Sequence, residues 1–218
     1  MRQDTQKRDA AVSPVVGVML MLVVTIIIAA MVASFAGTIS GNEKSAPQVT
    51  LSVDYTAKIV DTDKTNDKAD NPASNNAITF RRISGQPFSL KDIAVQLQNG
   101  DKVLKFDMNT QLNTSASVKE ENRILILNNS AGNKTYFAVP PGMSEVISAG
   151  DSFTLLADSS YDSTLAAPDS GIEKGRFLTW APEGSAGIFK LQTNVPFEYT
   201  VLDTISGKPM QTGTITIR

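Results

Sequence analysis

Apolar residues are distributed along this chain in two ways that belong to different kinds of structure. Residues 15–39 read VVGVMLMLVVTIIIAAMVASFAGTI, with Thr25, Ser34 and Thr38 as the polar members. A run that is apolar on every side has no face to turn to water. As a helix rising about 1.5 Å per residue it would extend about 37 Å, enough to cross a hydrocarbon core of about 30 Å. In lipid such a run is helical, because only a helix satisfies its own backbone polar groups. Ser13 suits the N-cap, Pro14 suits the first helical position where its missing N–H costs nothing, and Gly37 and Gly41 mark the end. Ala29, Ala33 and Gly37 recur every four residues, with Ala30 and Ser34 beside them. That spacing puts small side chains on one helix face, where a second helix can approach closely.

Beyond Pro47 the period changes to two. Val49, Leu51, Val53, Tyr55, Ala57 and Ile59 alternate with more polar residues, as expected of a strand with one buried face. Further strands are expected at 77–83, 92–98, 103–108, 123–127, 135–139, 152–157, 176–180, 187–192, 197–202 and 212–217. Asn99-Gly100 is a tight-turn signal between two of them, and Ser206-Gly207-Lys208-Pro209 punctuates the last pair. No long helical period appears in this part. The expected fold is α+β: a long N-terminal hydrophobic α-helix followed by an antiparallel β-sandwich or barrel of roughly ten strands, immunoglobulin-like in manner.

Composition sharpens this division. Of 218 residues, 41% are hydrophobic and 19% charged, which suits a globular domain but conceals a segregation. No charged residue lies between Ala10 and Asn42, so all 42 charges sit in the first nine residues or beyond. The leader MRQDTQKRDA is locally basic, which favours its retention in the cytoplasm and places the remainder outside. A secretory signal cut near Ser34-Phe35-Ala36 has the same polarity, although the apolar core of such signals is usually about 7 to 15 residues. The formal charge of -2 offers no broad basic surface for nucleic acid.

Cysteine and histidine are both absent, which removes disulfides, thiolate nucleophiles, imidazole bases and most transition-metal ligand sets. A hydrolase would then need a Ser-Lys or carboxylate pair. Glu120-Glu121, Asp151 and Asp158 stand among polar, turn-like residues and read as solvated surface, so no enzyme and no cofactor is expected. The polar run 61–76 reads as an exposed loop. Its Asp61, Asp63, Asn66 and Asp67 fail the calcium-loop pattern, with Thr65 fifth, no glycine sixth and Pro72 twelfth, so no metal is expected. Gly184-Ser185-Ala186-Gly187 lacks the spacing of a phosphate loop. Sequons begin at Asn113, Asn128 and Asn133.

The segment RDAAVSPVVGVMLMLVVTIIIAAMVASF resembles the N-terminus of archaeal type IV pilins and related pilin-like proteins. The resemblance is carried by Val12, Ser13, Pro14, Val15, Val16, Gly17 and Val18, with Val16 where isoleucine is usual, after the leader charges Lys7, Arg8 and Asp9. It implies a class III signal peptide, cut by a prepilin peptidase on the cytoplasmic side with the hydrophobic helix left attached. The cut falls between Ala10 and Ala11, or between Ala11 and Val12 if the Val-Ser-Pro motif sets the alignment. Pro14 keeps Ser13 out of the helical region, leaving an extended stretch for the protease. The glutamate that bacterial pilins carry early in the helix is missing, in agreement with the archaeal branch, and the start typical of archaellins is missing too. GQPFSLKDIAVQLQNG and VPFEYTVLDTISGKPMQTGTITIR resemble parts of archaeal pilin-like heads.

The resemblance thus implies a leader over 1–10, a helix over 11–41 that spans the membrane in the precursor and forms the filament core afterwards, and an extracellular head over 42–218. The implied partners are other copies of the chain in a helical homopolymer, the prepilin peptidase, an assembly ATPase with its membrane platform protein, and the membrane itself. An adhesive surface pilus is the expected function. An unpolymerised, membrane-anchored surface binding protein or a minor pilin is the alternative, and a secreted enzyme, cut near Ala36 and so without the helix, is a third.

Overall fold

The computed structural model describes residues 14–40, 45–57, 59, 76–113, 124–166, 171 and 173–218. The chain divides into two compact units, Met1–Glu43 and Lys44–Arg218. The first contains α1 (Pro14–Ser40), which begins at the proline whose fixed φ and missing N–H suit a first helical turn.

The second unit is built of strands: β1 (Val49–Thr56), β2 (Ala77–Gly85), β3 (Phe88–Ser89), β4 (Ile93–Asn99), β5 (Lys102–Phe106), β6 (Leu125–Asn128), β7 (Lys134–Val139), β8 (Val146–Ile147), β9 (Ser152–Leu156), β10 (Ser159–Asp162), β11 (Arg176–Trp180), β12 (Phe189–Gln192), β13 (Pro196–Asp203) and β14 (Pro209–Thr216). They form a five-stranded sheet in the order β1-β2-β9-β7-β6 and a four-stranded sheet, β14-β13-β4-β5. A three-stranded sheet, β10-β11-β12, and the short pair β3-β8 complete the arrangement. The pairings are antiparallel. This is an α+β protein with a sandwich-like head.

The core lies between the two larger sheets. Ile78, Phe80, Phe137, Phe153 and Leu155 from the first and Val95, Leu97, Phe197, Tyr199 and Val201 from the second belong to one buried cluster. Phe80 stacks on Phe153 with centroids 4.9 Å apart and meets the edge of Tyr199 at 5.7 Å, so the aromatic contacts run across the sandwich. The alternation in β1 has the expected sense. Leu51 is buried, and Val49, Val53 and Tyr55 pack half-buried against the same core; the strand ends at Thr56, short of the expected Ile59, although Ala57 and Ile59 beyond it still pack against that core. A smaller cluster of Ala77, Ile126, Ala138 and Leu156 is formed by residues of opposite parity on the five-stranded sheet.

Fourteen strands among the described residues exceed the roughly ten expected. The additional ones are β3 and β8, too short to show any period, and β10. The sequence of β10, SSYD, is polar, yet Ser160 and Asp162 are its buried positions. The β4–β5 hairpin turns at Gly100-Asp101, with Asn99 paired to Lys102. Gly100 has φ +58 and no positive φ follows it, the type II′ arrangement in which glycine leads the turn. Gly85 is required for a different reason: at φ +98 an added Cβ would meet the Gln48 carbonyl oxygen at 2.1 Å, where the chain passes into β1. At the open side of the sandwich, Gln211 of β14 links to β1 through its side-chain amide. Its oxygen accepts from the Leu51 N–H at 2.6 Å and its nitrogen donates to the Leu51 carbonyl at 2.9 Å. A side chain there satisfies backbone groups that a strand edge would otherwise leave open.

Candidate functional site

The segment that sequence reasoning singles out is α1. Val15–Ser34 is long and apolar enough to cross a membrane, and every side chain over those residues is exposed. The helix carries no acid in its first turn and no base in its last. Thr25, in its middle, donates its hydroxyl to the Leu22 carbonyl at 2.8 Å, so this polar group is satisfied within the helix and tolerates apolar surroundings. Ala29, Ala30, Ala33 and Ser34 lie on α1 with exposed side chains, and Gly37 follows one turn later on the same helix. Pro14, Val15, Val16 and Gly17 form its first turn, and a Cβ added at Gly17 would meet nothing within 4 Å. Lys7, Arg8, Asp9, Ala10, Ala11, Val12 and Ser13 lie outside the described residues.

Residues 61–75 and Glu120-Glu121 lie outside the described residues, and no group of three or more metal-ligating side chains occurs among the described ones. Asn76, the last residue of the expected exposed loop, is buried and donates to the Ser160 hydroxyl at 2.8 Å. Gly184-Ser185-Ala186-Gly187 forms an exposed turn, in which the Ser185 N–H donates to the Pro182 carbonyl at 2.9 Å.

Asp158 corrects the reading of this carboxylate as solvated surface. It is 6% exposed, and the Tyr136 hydroxyl reaches its two oxygens at 2.9 and 2.8 Å while the Ala181 N–H donates to Oδ2. Trp180 beside it donates its indole N–H to the Leu156 carbonyl at 2.7 Å. Burial pushes the Asp158 carboxyl up, against the opposing donation from Ala181 and Tyr136. Burial, followed by the Asp158 charge and hydrogen bond, pushes the Tyr136 phenol up as well. The polar spacing around Asp158 in sequence gave no sign of this, because strand pairing rather than composition buries it. Asp151 remains half-exposed and accepts from the Ser148 N–H at 2.9 Å.

Asp162 is the second buried carboxylate, at the end of β10. It accepts from the Thr164 hydroxyl at 2.6 Å, the Thr164 N–H at 2.9 Å and the Arg176 Nε at 2.7 Å. Burial alone would raise its pKa, but these donors and the guanidinium charge outweigh it and hold the carboxyl below its ordinary value. Both clusters are closed on themselves: their donors and acceptors answer one another within the fold, as structural networks do.

The three sequons differ in setting. Asn113 is half-buried and donates its side-chain amide to the Ala181 carbonyl at 2.8 Å, whereas Asn128 and Asn133 are exposed on either side of the β6–β7 turn.

No curated protein matches the chain. Residues 10–51 match the family described as Archaeal Type IV pilin, N-terminal. The matched span runs through α1 into β1, so the helix and the start of the first strand are similar to the N-terminal segment of archaeal type IV pilins.

Proposed function

We propose that the protein is a structural subunit of an archaeal type IV pilus, cut by a prepilin peptidase at Ala10-Ala11 or Ala11-Val12 and polymerised through α1 into a surface filament. The observation that carries this reading is a helix apolar and exposed around its whole circumference, within the span that matches the pilin N-terminus. Water is the one surrounding such a helix avoids. Each large aliphatic side chain taken out of water contributes about 1.5–3 kcal/mol, so a subunit resists escape from either lipid or a bundle of like helices. Moving between those two exchanges one apolar environment for another. Close packing then governs association, which is the use of Ala29, Ala33 and Gly37 with Ala30 and Ser34.

In this reading residues 1–10 are the leader and stay cytoplasmic, 11–41 span the membrane until assembly, and the head from 42 onward faces outside. Assembly draws on a dedicated ATPase and membrane platform protein, and the displayed heads serve adhesion. The chain acts as a building unit, without catalysis. Mass spectrometry of the mature N-terminus in sheared cell-surface filaments tests this. A start at Ala11 or Val12 in the filament fraction is expected. A start at Met1 on a protein confined to membranes would overturn it in favour of an unpolymerised anchored protein.

A further inference from the structure

We infer that Asn128 carries an N-linked glycan in the mature protein and that Asn113 and Asn133 do not. The inference rests on the proposal that the head is displayed outside the membrane. A sequon is defined by an asparagine and by a hydroxyl two residues on, so a transferase must reach both groups. The fold sorts the three sequons by that requirement.

At Asn113 the acceptor nitrogen is engaged. Nδ2 donates to the Ala181 carbonyl at 2.8 Å, in a recess that residues 181–188 share with it, and a sugar on that nitrogen would have to occupy the same half-buried space. At Asn133 the amide side chain is exposed, but the hydroxyl of its sequon is not. Thr135 has no exposure, and its Oγ1 donates to the Leu127 carbonyl at 3.0 Å while accepting from the Phe137 N–H at 3.2 Å. Asn133 is also held by its backbone, its N–H donating to Asn129 Oδ1 at 2.9 Å and its carbonyl accepting from the Asn129 N–H at 2.9 Å. Presenting this sequon to an enzyme means opening the hairpin and leaving Thr135 and its partners unpaired.

Asn128 meets both conditions. It ends β6 with an exposed side chain, and Ser130, which supplies the hydroxyl, is exposed in the turn. Neither side chain makes a hydrogen bond among the described residues, so both are open without disturbing the fold. The turn itself is firm: Asn129 Oδ1 accepts from the Ala131 N–H at 2.9 Å, and the Gly132 N–H donates to the Asn129 carbonyl at 3.0 Å. The donor is a lipid-linked phosphate sugar. The Asn128 Nδ2–C1 bond forms, the C1–O bond to phosphate breaks, the lipid phosphate leaves with the bonding pair, and one amide proton passes to a base of the transferase. Because β6 is an outer strand of the five-stranded sheet among the described residues, a bulky polar chain at Asn128 stands at the end of that strand, where it opposes edge-to-edge pairing of heads.

The test is glycopeptide mass spectrometry on the full chain purified from cells that display it. Trypsin cuts after Arg123 and Lys134, so residues 124–134 hold both Asn128 and Asn133, and single variants assign the site. A sugar mass on that peptide is expected to persist in N133Q and to vanish in both N128Q and S130A, the last leaving the asparagine in place. A mass that survives N128Q, a glycan on Asn113, or a bare 124–134 peptide would overturn the inference. The N-terminus read from the same sample separates the two readings. A bare Asn128 on a processed subunit refutes this inference alone, and a glycan on an unprocessed chain refutes the pilus while leaving this inference standing.

Discussion

Removing one oxygen atom, by Tyr136→Phe, isolates what holds the buried carboxylate of Asp158 in place. Tyr136 has no exposure, and its ring keeps its edge contact with Phe106, centroids 5.0 Å apart, so the substitution opens no apolar cavity. What is lost is a hydroxyl whose single proton is shared between two carboxylate oxygens at 2.9 and 2.8 Å and whose oxygen also accepts from the Asn113 backbone N–H. A hydrogen bond to a charged group is worth about 1.5–3 kcal/mol, and a cost of about 2 kcal/mol at neutral pH is expected. In a head of this size that lowers Tm by about 4–8 °C. The cost also depends on pH. Asp158 has its folded-state pKa above the 3.8 of the unfolded chain, so protonation favours the folded state as pH falls through the folded value towards 3.8. The phenylalanine variant loses a donor to the ionised form and so raises that folded value further. Its penalty is therefore full while Asp158 is ionised and shrinks once the carboxyl is neutral. Urea unfolding of residues 44–218, which have their own core, measures this at about pH 7 and about pH 4. A penalty under about 0.5 kcal/mol at neutral pH, or one equal at both pH values, would refute the argument.

Asp162→Asn removes the charge that Arg176 and Thr164 surround, at an expected cost of about 2 kcal/mol at neutral pH. Because the folded pKa of Asp162 is depressed, its stabilisation is complete above 3.8 and is lost as pH falls through the folded value. Thermal melts of the two proteins should converge in acid, and a gap independent of pH would count against a charge effect. Ala33→Leu places a bulky side chain on the small-residue face of α1. On the pilus reading, filament yield should fall about tenfold or more, equivalent to about 1.4 kcal/mol, while membrane-bound precursor is unchanged. Unaltered filaments would show that this face is not where helices meet.

The division into an apolar helix and a strand-rich head was legible in the sequence, because each rests on local pattern. Twenty-five residues without charge have no polar face to expose, Pro14 fixes a helical start, and the alternation from Val49 to Ile59 can bury only one side of a strand. Gly100 marked its hairpin for the same local reason, that a turn needing positive φ needs glycine. The likeness of the N-terminal segment to archaeal pilins was legible as well, being carried by a contiguous string, and residues 10–51 match that family's N-terminal model.

The strand order was decided by tertiary structure. Nothing local pairs β2 with β9 or lets Gln211 close the sandwich on Leu51, 160 residues away in sequence. The same holds for burial of polar residues. Ser160, Asp158 and Asp162 sit in a polar stretch that reads as surface, yet Asn76, Tyr136 and Arg176 arrive from elsewhere in the chain to answer their hydrogen bonds and make their burial tolerable. Sequons divide in the same way, since any three-residue string can specify an acceptor while its exposure depends on which carbonyl lies opposite, Ala181 for Asn113 and Leu127 for Thr135. Hydrophobic period and backbone preference are properties of neighbours along the chain. A buried polar group is stable only through partners distant along it, so its place emerges when the sheets have formed.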